Sequence, residues 1–342
     1  MKKLLFPLIL GFSLANAQTL LTDNLNSYTV GNVGTSTTGA SAGQGGWYTT
    51  ATSTDTGVTN ASFQIVTNDA THDKVAKIIG SASTLGSRYI SKSIASLWAT
   101  RTSGNNIVQV EFDIYTGPAT TSKNATRFYI YDSTLAKILS GVSLTQDTKV
   151  IQGVGYYDAT LSGGSLANYG FYLGGTSTVP ADLVLTASTW IRVGLAFDKT
   201  TGNVYWKGPG FNGYVTGAAT GTDPAGIYLM AFSGGTANAA SSDHLFDNIT
   251  VTAVSAVNLL GVNESDKKLE NEFKIYPNPA KDVVTIEGKN KIISVYAYDL
   301  SGKRIDLSLS GNKVNVSTLQ TGSYLLGIKT DEGFVTKKLI KE

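Results

Sequence analysis

The 342-residue chain contains no cysteine, which excludes disulfides, zinc–thiolate sites and a cysteine nucleophile. Charge is scarce as well, at 15% of residues against a usual share of about 25%. Between Gln18 and Val254 the only glutamate is Glu111, and His72 and His244 are the only histidines in the chain. Long apolar runs are missing apart from Leu4–Leu14, about half of the ~20 residues needed to cross a bilayer. No helical period persists for more than a turn or two between Gln18 and Val254. The formal net charge is +2, and without Lys2 and Lys3 the 27 basic residues become 25 against 25 acidic. A balanced charge with no basic stripe argues against nucleic acid as a partner.

Glycine (37 residues), tyrosine (17) and a 42% hydrophobic share are what is present. That is too aromatic and too weakly charged for a disordered chain, and it points to strands joined by tight turns. The length suits two domains. With no disulfide the fold rests on its cores. No cofactor is expected, and calcium is the one common staple left open.

Lys2-Lys3, the apolar run to Leu14 and the small residues of Ala15-Asn16-Ala17 have the layout of a secretory signal cleaved between Ala17 and Gln18. No other segment is long and apolar enough to span a membrane, so the mature chain is expected to lack a transmembrane segment.

Composition changes near residue 255. From Ser255 to the end there are eleven acidic and thirteen basic residues. Residues 255–271, with the charged stretch Asn263–Glu272, read as an exposed linker. Strand signals then follow at short spacing over about seventy residues, the pattern of a small Ig-like β-sandwich at 272–342. In Pro277-Asn-Pro279 the prolines stop ladder donation and force an extended turn. Four blocks occur in order: Phe273-Lys-Ile-Tyr-Pro-Asn-Pro-Ala280, Val295-Tyr-Ala-Tyr-Asp-Leu-Ser-Gly-Lys303, Thr321-Gly-Ser-Tyr-Leu-Leu-Gly327 and Lys337-Lys-Leu-Ile-Lys341. Together they resemble the type A C-terminal sorting domain of proteins exported by the Bacteroidetes type IX secretion system, with Tyr276, Pro277, Asn278, Pro279, Gly302, Gly322 and Lys338 as motif residues. The resemblance implies passage through the periplasm to the outer cell surface or the medium, recognition by the type IX machinery, and removal of the tail by a sortase-like peptidase.

Residues 18–254 carry more than ten strand signals with glycine-rich turns, which predicts an antiparallel jelly-roll β-sandwich and an all-β protein. Ile107–Tyr115 alternates with Val108, Val110, Phe112 and Ile114 in one phase, and Trp190–Phe197 with Ile191, Val193, Leu195 and Phe197. Trp98, Trp190 and Trp206 are expected in the core. Asp23–Gly31, the hairpin Trp190–Gly208 and the last strand Asp243–Val251 resemble the laminin-G/concanavalin-like jelly roll. That resemblance implies side-by-side first and last strands, carbohydrate or adhesive binding as the common use, and glycosidases as a minority.

The strand holding Glu111 and Asp113 puts both acids and Tyr115 on one face. It resembles the catalytic strand of laminarinase-type glycosidases. A retaining glycosidase, however, needs two carboxyls about 5 Å apart, and Thr116 and Gly117 stand where the family has its second glutamate. It also resembles a legume-lectin segment whose Glu and Asp hold manganese and calcium, but hard cations want about six to eight oxygens, and Gly117–Lys123 lacks the further ligands. Two acids on a half-solvated strand are the simpler reading. Asn68–Asp73 reads as an Asx turn. Sugar faces stack on exposed aromatics beside polar groups, so the candidate ligand residues are Trp47, Tyr48, Glu111, Asp113, Tyr157 and Tyr205. Three uses stay open: a non-catalytic polysaccharide-binding or adhesive protein, a polysaccharide hydrolase or lyase using Asp113 or a loop carboxylate, and a structural surface or biofilm component.

Overall fold

Strand Ile107–Tyr115 is the centre from which the N-terminal fold is built. Its alternate side chains Val108, Val110, Phe112 and Ile114 are buried, as the period-two pattern requires. It pairs antiparallel with Trp190–Asp198 on one side and Asp243–Val254 on the other. The computed structural model describes residues 17–176, 179–234, 238–260, 273–288, 291–298, 304–330 and 334–342. The segment Leu4–Leu14 of the expected signal, residues 261–271 of the expected linker, and the turn Asp299–Gly302 therefore lie outside the described residues.

Residues up to Leu260 form one compact unit and those from Gly261 another. In the first unit two nine-stranded sheets face each other. The first sheet runs in the order Phe211–Thr216, Asn203–Gly208, Trp190–Asp198, Ile107–Tyr115, Asp243–Val254, Lys74–Ile79, Phe63–Thr67 and Gly31–Asn32. Strand Gln18–Asp23 pairs with Asp243–Val254, so the first and last strands lie side by side as expected of a jelly roll. The second sheet runs Leu166–Tyr172, Val150–Asp158, Ile138–Thr145, Ala125–Tyr131, Gly226–Phe232, Ser87–Ser93, Tyr48–Ala51 and Thr38–Ala42.

The core lies between the sheets. Phe112 of the first stacks on Phe128 of the second, with ring centroids 3.8 Å apart, worth about 0.5–1.5 kcal/mol beyond the area buried. The Trp206 indole N–H donates to the Gly141 carbonyl of the opposite sheet at 2.7 Å. Its ring occupies the space a side chain at position 153 would need, since a Cβ on Gly153 would come within 2.7 Å of it.

His244 is fully buried between the sheets. Nδ1 meets the Thr126 hydroxyl at 2.7 Å and Nε2 meets Ser242 Oγ at 3.1 Å. Burial, with nearby Lys149 and Arg88, pushes the imidazole down to about 3. The unfolded chain therefore takes up a proton below about pH 6.5 that the folded chain refuses until about pH 3. This contribution is complete above pH 6.5 and shrinks through that window. At pH 4.5 it should cost about 2–3 kcal/mol relative to pH 7. Urea titrations of wild type and His244→Gln at the two pH values check this: the stability gap between them should narrow by that amount on acidification, and an unchanged gap would refute it.

The tail unit has two four-stranded sheets. One holds Lys274–Tyr276, Val283–Glu287, Lys313–Asn315 and Leu309–Ser310, the other Arg304–Asp306, Ile292–Tyr298, Gly322–Thr330 and Phe334–Lys341. They enclose a separate core that includes Phe273, Val284, Ile286, Val314, Leu326 and Leu339. Strand is the dominant regular structure of the described residues and helix is confined to a few short turns, so the all-β, two-sandwich expectation holds.

Two expectations change. Trp190 is not in the core, because its phase places it outward on the first sheet, stacked on His72 at 4.1 Å. Residues 255–260 are not free linker. Asn258 N–H donates to Gln109 Oε1 and Leu260 N–H to Glu111 Oε1, each at 2.6 Å. Leu259 is buried, its carbonyl accepting from Lys207. It settles over Gly194, whose missing side chain leaves the room.

Candidate functional site

The outer face of the second sheet carries an aromatic groove. Alternation sends Phe128, Ile130, Ile227, Leu229, Ala231 and Ile90 inward to the core. The same alternation turns Arg127, Tyr129, Tyr131, Tyr228, Met230, Phe232 and Tyr89 outward. Register then gathers them, with Tyr129 opposite Tyr228, and Met230 opposite both Arg127 and Tyr89. The hollow they line measures about 520 Å³. A second hollow of about 530 Å³, lined by Tyr48, Ser91 and Lys92 among others, shares Tyr89, Leu135 and Tyr228 with it. Through these shared residues the two adjoin as one trough across the sheet, each hollow within the usual size range of ligand sites.

The rings meet edge to face: Tyr131 to Tyr228 at 5.1 Å, Tyr129 to Tyr131 at 5.7 Å and Tyr89 to Tyr228 at 6.3 Å. Gly141, directly opposite Tyr129, makes this possible. A Cβ there would lie 2.3 Å from the Tyr129 ring and 2.9 Å from the Phe128 carbonyl oxygen. The Arg127 guanidinium lies 3.6 Å from the centre of the Phe232 ring, and its Nε–H donates to Ser143 Oγ at 3.1 Å.

Burial raises the hydroxyls of Tyr89, Tyr129, Tyr131 and Tyr228 above the ordinary tyrosine value. They stay protonated at any physiological pH, able to donate and accept hydrogen bonds but not to act as bases. The residues lining the 520 Å³ hollow include Arg127 but no Asp, Glu or His. The paired carboxyls of a glycosidase are therefore not found along it.

The candidate residues read from the sequence fall in different places. Tyr48 is 38% exposed and borders the trough. Trp47 points the other way, into the core, and donates its indole N–H to Asp23 at 2.8 Å, so it offers no face to a ligand. Tyr157 packs edge-on against Tyr169 and Phe171 at the margin of the sandwich. Tyr205 lies on the outer face of the first sheet, stacked on Tyr214 at 5.5 Å.

Glu111 and Asp113 share that face and are engaged internally. Arg192 approaches Asp113 at 3.2 Å and Glu111 at 3.6 Å. Asn248 Nδ2 donates to Asp113 at 2.7 Å, and His72 Nε2 lies 3.4 Å from the same carboxylate. The register shift after Asp247, with Asn248 at φ 50°, is the bulge that aims the amide there. Burial lifts the neighbouring Asp247 carboxyl to about 7. Asn68–Asp73 is the expected Asx turn, with the Asp69 carboxylate accepting from the N–H groups of Thr71 and His72. Among the described residues no group of three or more His, Asp or Glu side chains is arranged to hold a metal ion.

In the tail, the motif blocks converge on the last strand. Asn278 Nδ2 donates to the Lys338 carbonyl at 2.7 Å, and its Oδ1 accepts the Ile340 N–H at 2.8 Å. Ala280 and Glu342 complete the clamp through backbone hydrogen bonds, Ala280 to Ile340 and Glu342 to Ala280. Pro277 and Pro279 hold Asn278 between them, so one amide ties the first block to the fourth. Tyr276 and Lys338 are exposed, and Gly322 pairs with Lys341. Gly302 lies outside the described residues. At the other terminus Ala17 is exposed and Gln18 begins the first strand.

Residues 274–342 match the family described as the secretion system C-terminal sorting domain. The tail is therefore a type IX sorting domain, and the protein is exported to the cell surface or the medium. No helix among the described residues is long and apolar enough to cross a membrane. Among curated proteins no sequence match was found. Solved structures similar to the chain include a botulinum neurotoxin serotype C1 binding domain, with 9% identity, 93% of this chain and 73% of that one covered, and a TM-score of 0.44. A cellulose-induced protein has 14% identity, 57% and 85% coverage, and a TM-score of 0.39. An alginate lyase of polysaccharide lyase family 7 has 8% identity, 58% and 86% coverage, and a TM-score of 0.40.

Proposed function

We propose that the exported N-terminal unit binds a polysaccharide chain along the trough of its second sheet and does not cleave it. The observation that carries this reading is the set of edge-packed tyrosines whose hydroxyls burial keeps protonated: Tyr89, Tyr131 and Tyr228 are half-buried and face the trough, and buried Tyr129 supports them from beneath. Rings of this kind offer apolar faces to pyranose C–H groups, and their O–H groups reach sugar hydroxyls. Ser143 and Gln152 add a hydroxyl and an amide to the same lining. Two shared hollows give the length for several sugar units rather than one. The absence of a carboxylate or imidazole from the lining of the 520 Å³ hollow favours holding over hydrolysis. Adhesion to a glycan-coated surface is the use that follows from binding without turnover. On the way out a signal segment ending at Ala17 is removed, and a sortase-like peptidase separates the tail.

The test uses the whole chain from Gln18, applied to a polysaccharide array with and without EDTA. At least one polysaccharide should bind, and Tyr228→Ala should weaken it at least about tenfold, because this ring sits between Tyr89 and Tyr131. An array with no binder, or full binding by Tyr228→Ala, overturns the reading. A silent array would favour a structural surface component.

A further inference from the structure

We infer that the trough selects an anionic polysaccharide, with Arg127 as the residue that reads the acid group. This rests on the trough being a glycan site, as proposed above. Arg127 is the one charged side chain among the residues that line the 520 Å³ hollow. Among the described residues no carboxylate forms an ion pair with it; the ion pairs of the other arginines join Arg88 to Asp55 and Arg192 to Glu111 and Asp113. Its guanidinium is held by Phe232, 3.6 Å below, by Tyr129 at 5.8 Å, and by the bond from Nε to Ser143. Those contacts use the ring-like face and the inner N–H. Among the described residues no hydrogen bond or ion pair engages the terminal pair, Nη1 and Nη2, which leaves that side of the fork for a ligand.

That geometry suits one ligand chemistry. An end-on guanidinium makes two parallel charge-assisted bonds to the two oxygens of a carboxylate, or to two oxygens of a sulfate. A neutral sugar hydroxyl offers nothing comparable. Stacking on Phe232 fixes the plane of the fork before the ligand arrives, so little side-chain freedom is lost on binding. The one acid among the residues lining the two hollows is Asp132, in the adjoining hollow. Its carboxylate is turned onto the Thr134 hydroxyl and the N–H groups of Ala136 and Lys137, not toward Arg127. Lys92, in that same hollow, is already engaged, its Nζ 3.6 Å from the Asp23 carboxylate and donating to the Gly45 carbonyl at 2.8 Å, so Arg127 is the cation left for a ligand.

The experiment compares matched polymers on the whole chain from Gln18: polygalacturonate against its methyl ester, a sulfated galactan against its desulfated form, and unsubstituted neutral glucans. Wild type, Arg127→Gln and Arg127→Lys are titrated at low and high salt. The expected result is at least tenfold tighter binding of one acid form than of its masked partner. Arg127→Gln should abolish that preference, costing the acid form at least about tenfold more affinity than the masked form, and Arg127→Lys should recover only part of it. Which pair shows the preference tells carboxylate from sulfate. Equal affinity for acid and masked forms overturns the inference, as does an equal loss for both in Arg127→Gln, which would mark the arginine as packing only. Groove-dependent binding of neutral glucans alone, abolished by Tyr228→Ala, would sink the acid preference and leave the glycan site standing. No binding to any polymer would sink both.

Discussion

A chain ending before Phe273 should accumulate in the periplasm, with almost none at the surface or in the medium. The two units have separate hydrophobic cores, so the truncation removes an address without opening the sandwich that carries the groove. Near-UV circular dichroism of the periplasmic product should therefore keep its tertiary signature. A smaller change should do nearly the same. Asn278 makes two of the bonds that seat the Pro277-Asn-Pro279 turn on the last strand, and Asn278→Ala breaks both in one step. Each such bond contributes about 0.5–1.5 kcal/mol, so the clamp loosens by about 1–3 kcal/mol and export should fall severalfold. Immunoblots of periplasm, surface and medium measure it. Wild-type amounts of the truncated chain outside the cell would overturn the assignment of the tail as the address. The intact mass of wild-type protein recovered from outside should correspond to a chain that starts at Gln18 and stops short of Phe273. A mass that includes Met1 or the whole tail would refute the two processing steps.

The parts of the molecule legible in the sequence are those written by one strand at a time. Ile107–Tyr115 is central and buried on one face, so its alternation announced both its state and its phase. The tail motifs were legible because turn chemistry and order are local. The groove was not, since Tyr89, Tyr129, Tyr131 and Tyr228 come from three strands that only the sheet register brings together. Each alone is an ordinary strand tyrosine. Strand Ile138–Thr145 is weakly marked in the sequence for a related reason. Gly141 and Ser143 spoil its propensity, yet they are the small residues that Tyr129 and Arg127 lie against. In Trp47-Tyr48 the alternation of a strand edge sends one ring into the core and the other to the trough. Composition cannot say which. The pair Glu111 and Asp113 was found by motif and phase, but their neighbours Arg192, His72 and Asn248 come from distant segments and turn them into structural ties.

Replacing Arg88 by methionine should cost the N-terminal unit about 3–5 kcal/mol, the penalty for breaking a buried ion pair from one side. Arg88 and Asp55 are 7% and 1% exposed at their side chains. Nε and Nη2 hold the two carboxylate oxygens at 2.6 and 3.0 Å, and Nη1 reaches the Ile79 carbonyl at 2.7 Å. Methionine fills a similar volume but leaves the Asp55 charge in the interior with one backbone N–H, that of Gly57, as company. Asp55→Asn in the Arg88→Met background removes the stranded charge and should restore at least half of the loss. The charge accounts for most of the penalty, whereas the lost packing is small. Urea unfolding of the two single variants and the double variant closes the cycle. A single Arg88→Met variant within 1 kcal/mol (about fivefold in the unfolding constant) of wild type would show that the pair is not the tie it looks. The consequence reaches the binding face, because Arg88 and Tyr89 are adjacent on strand Ser87–Ser93 and point to opposite sides of it. An arginine that anchors the inner side fixes the height at which Tyr89 stands in the trough, so Arg88→Met should also weaken polysaccharide binding under conditions where the chain remains folded.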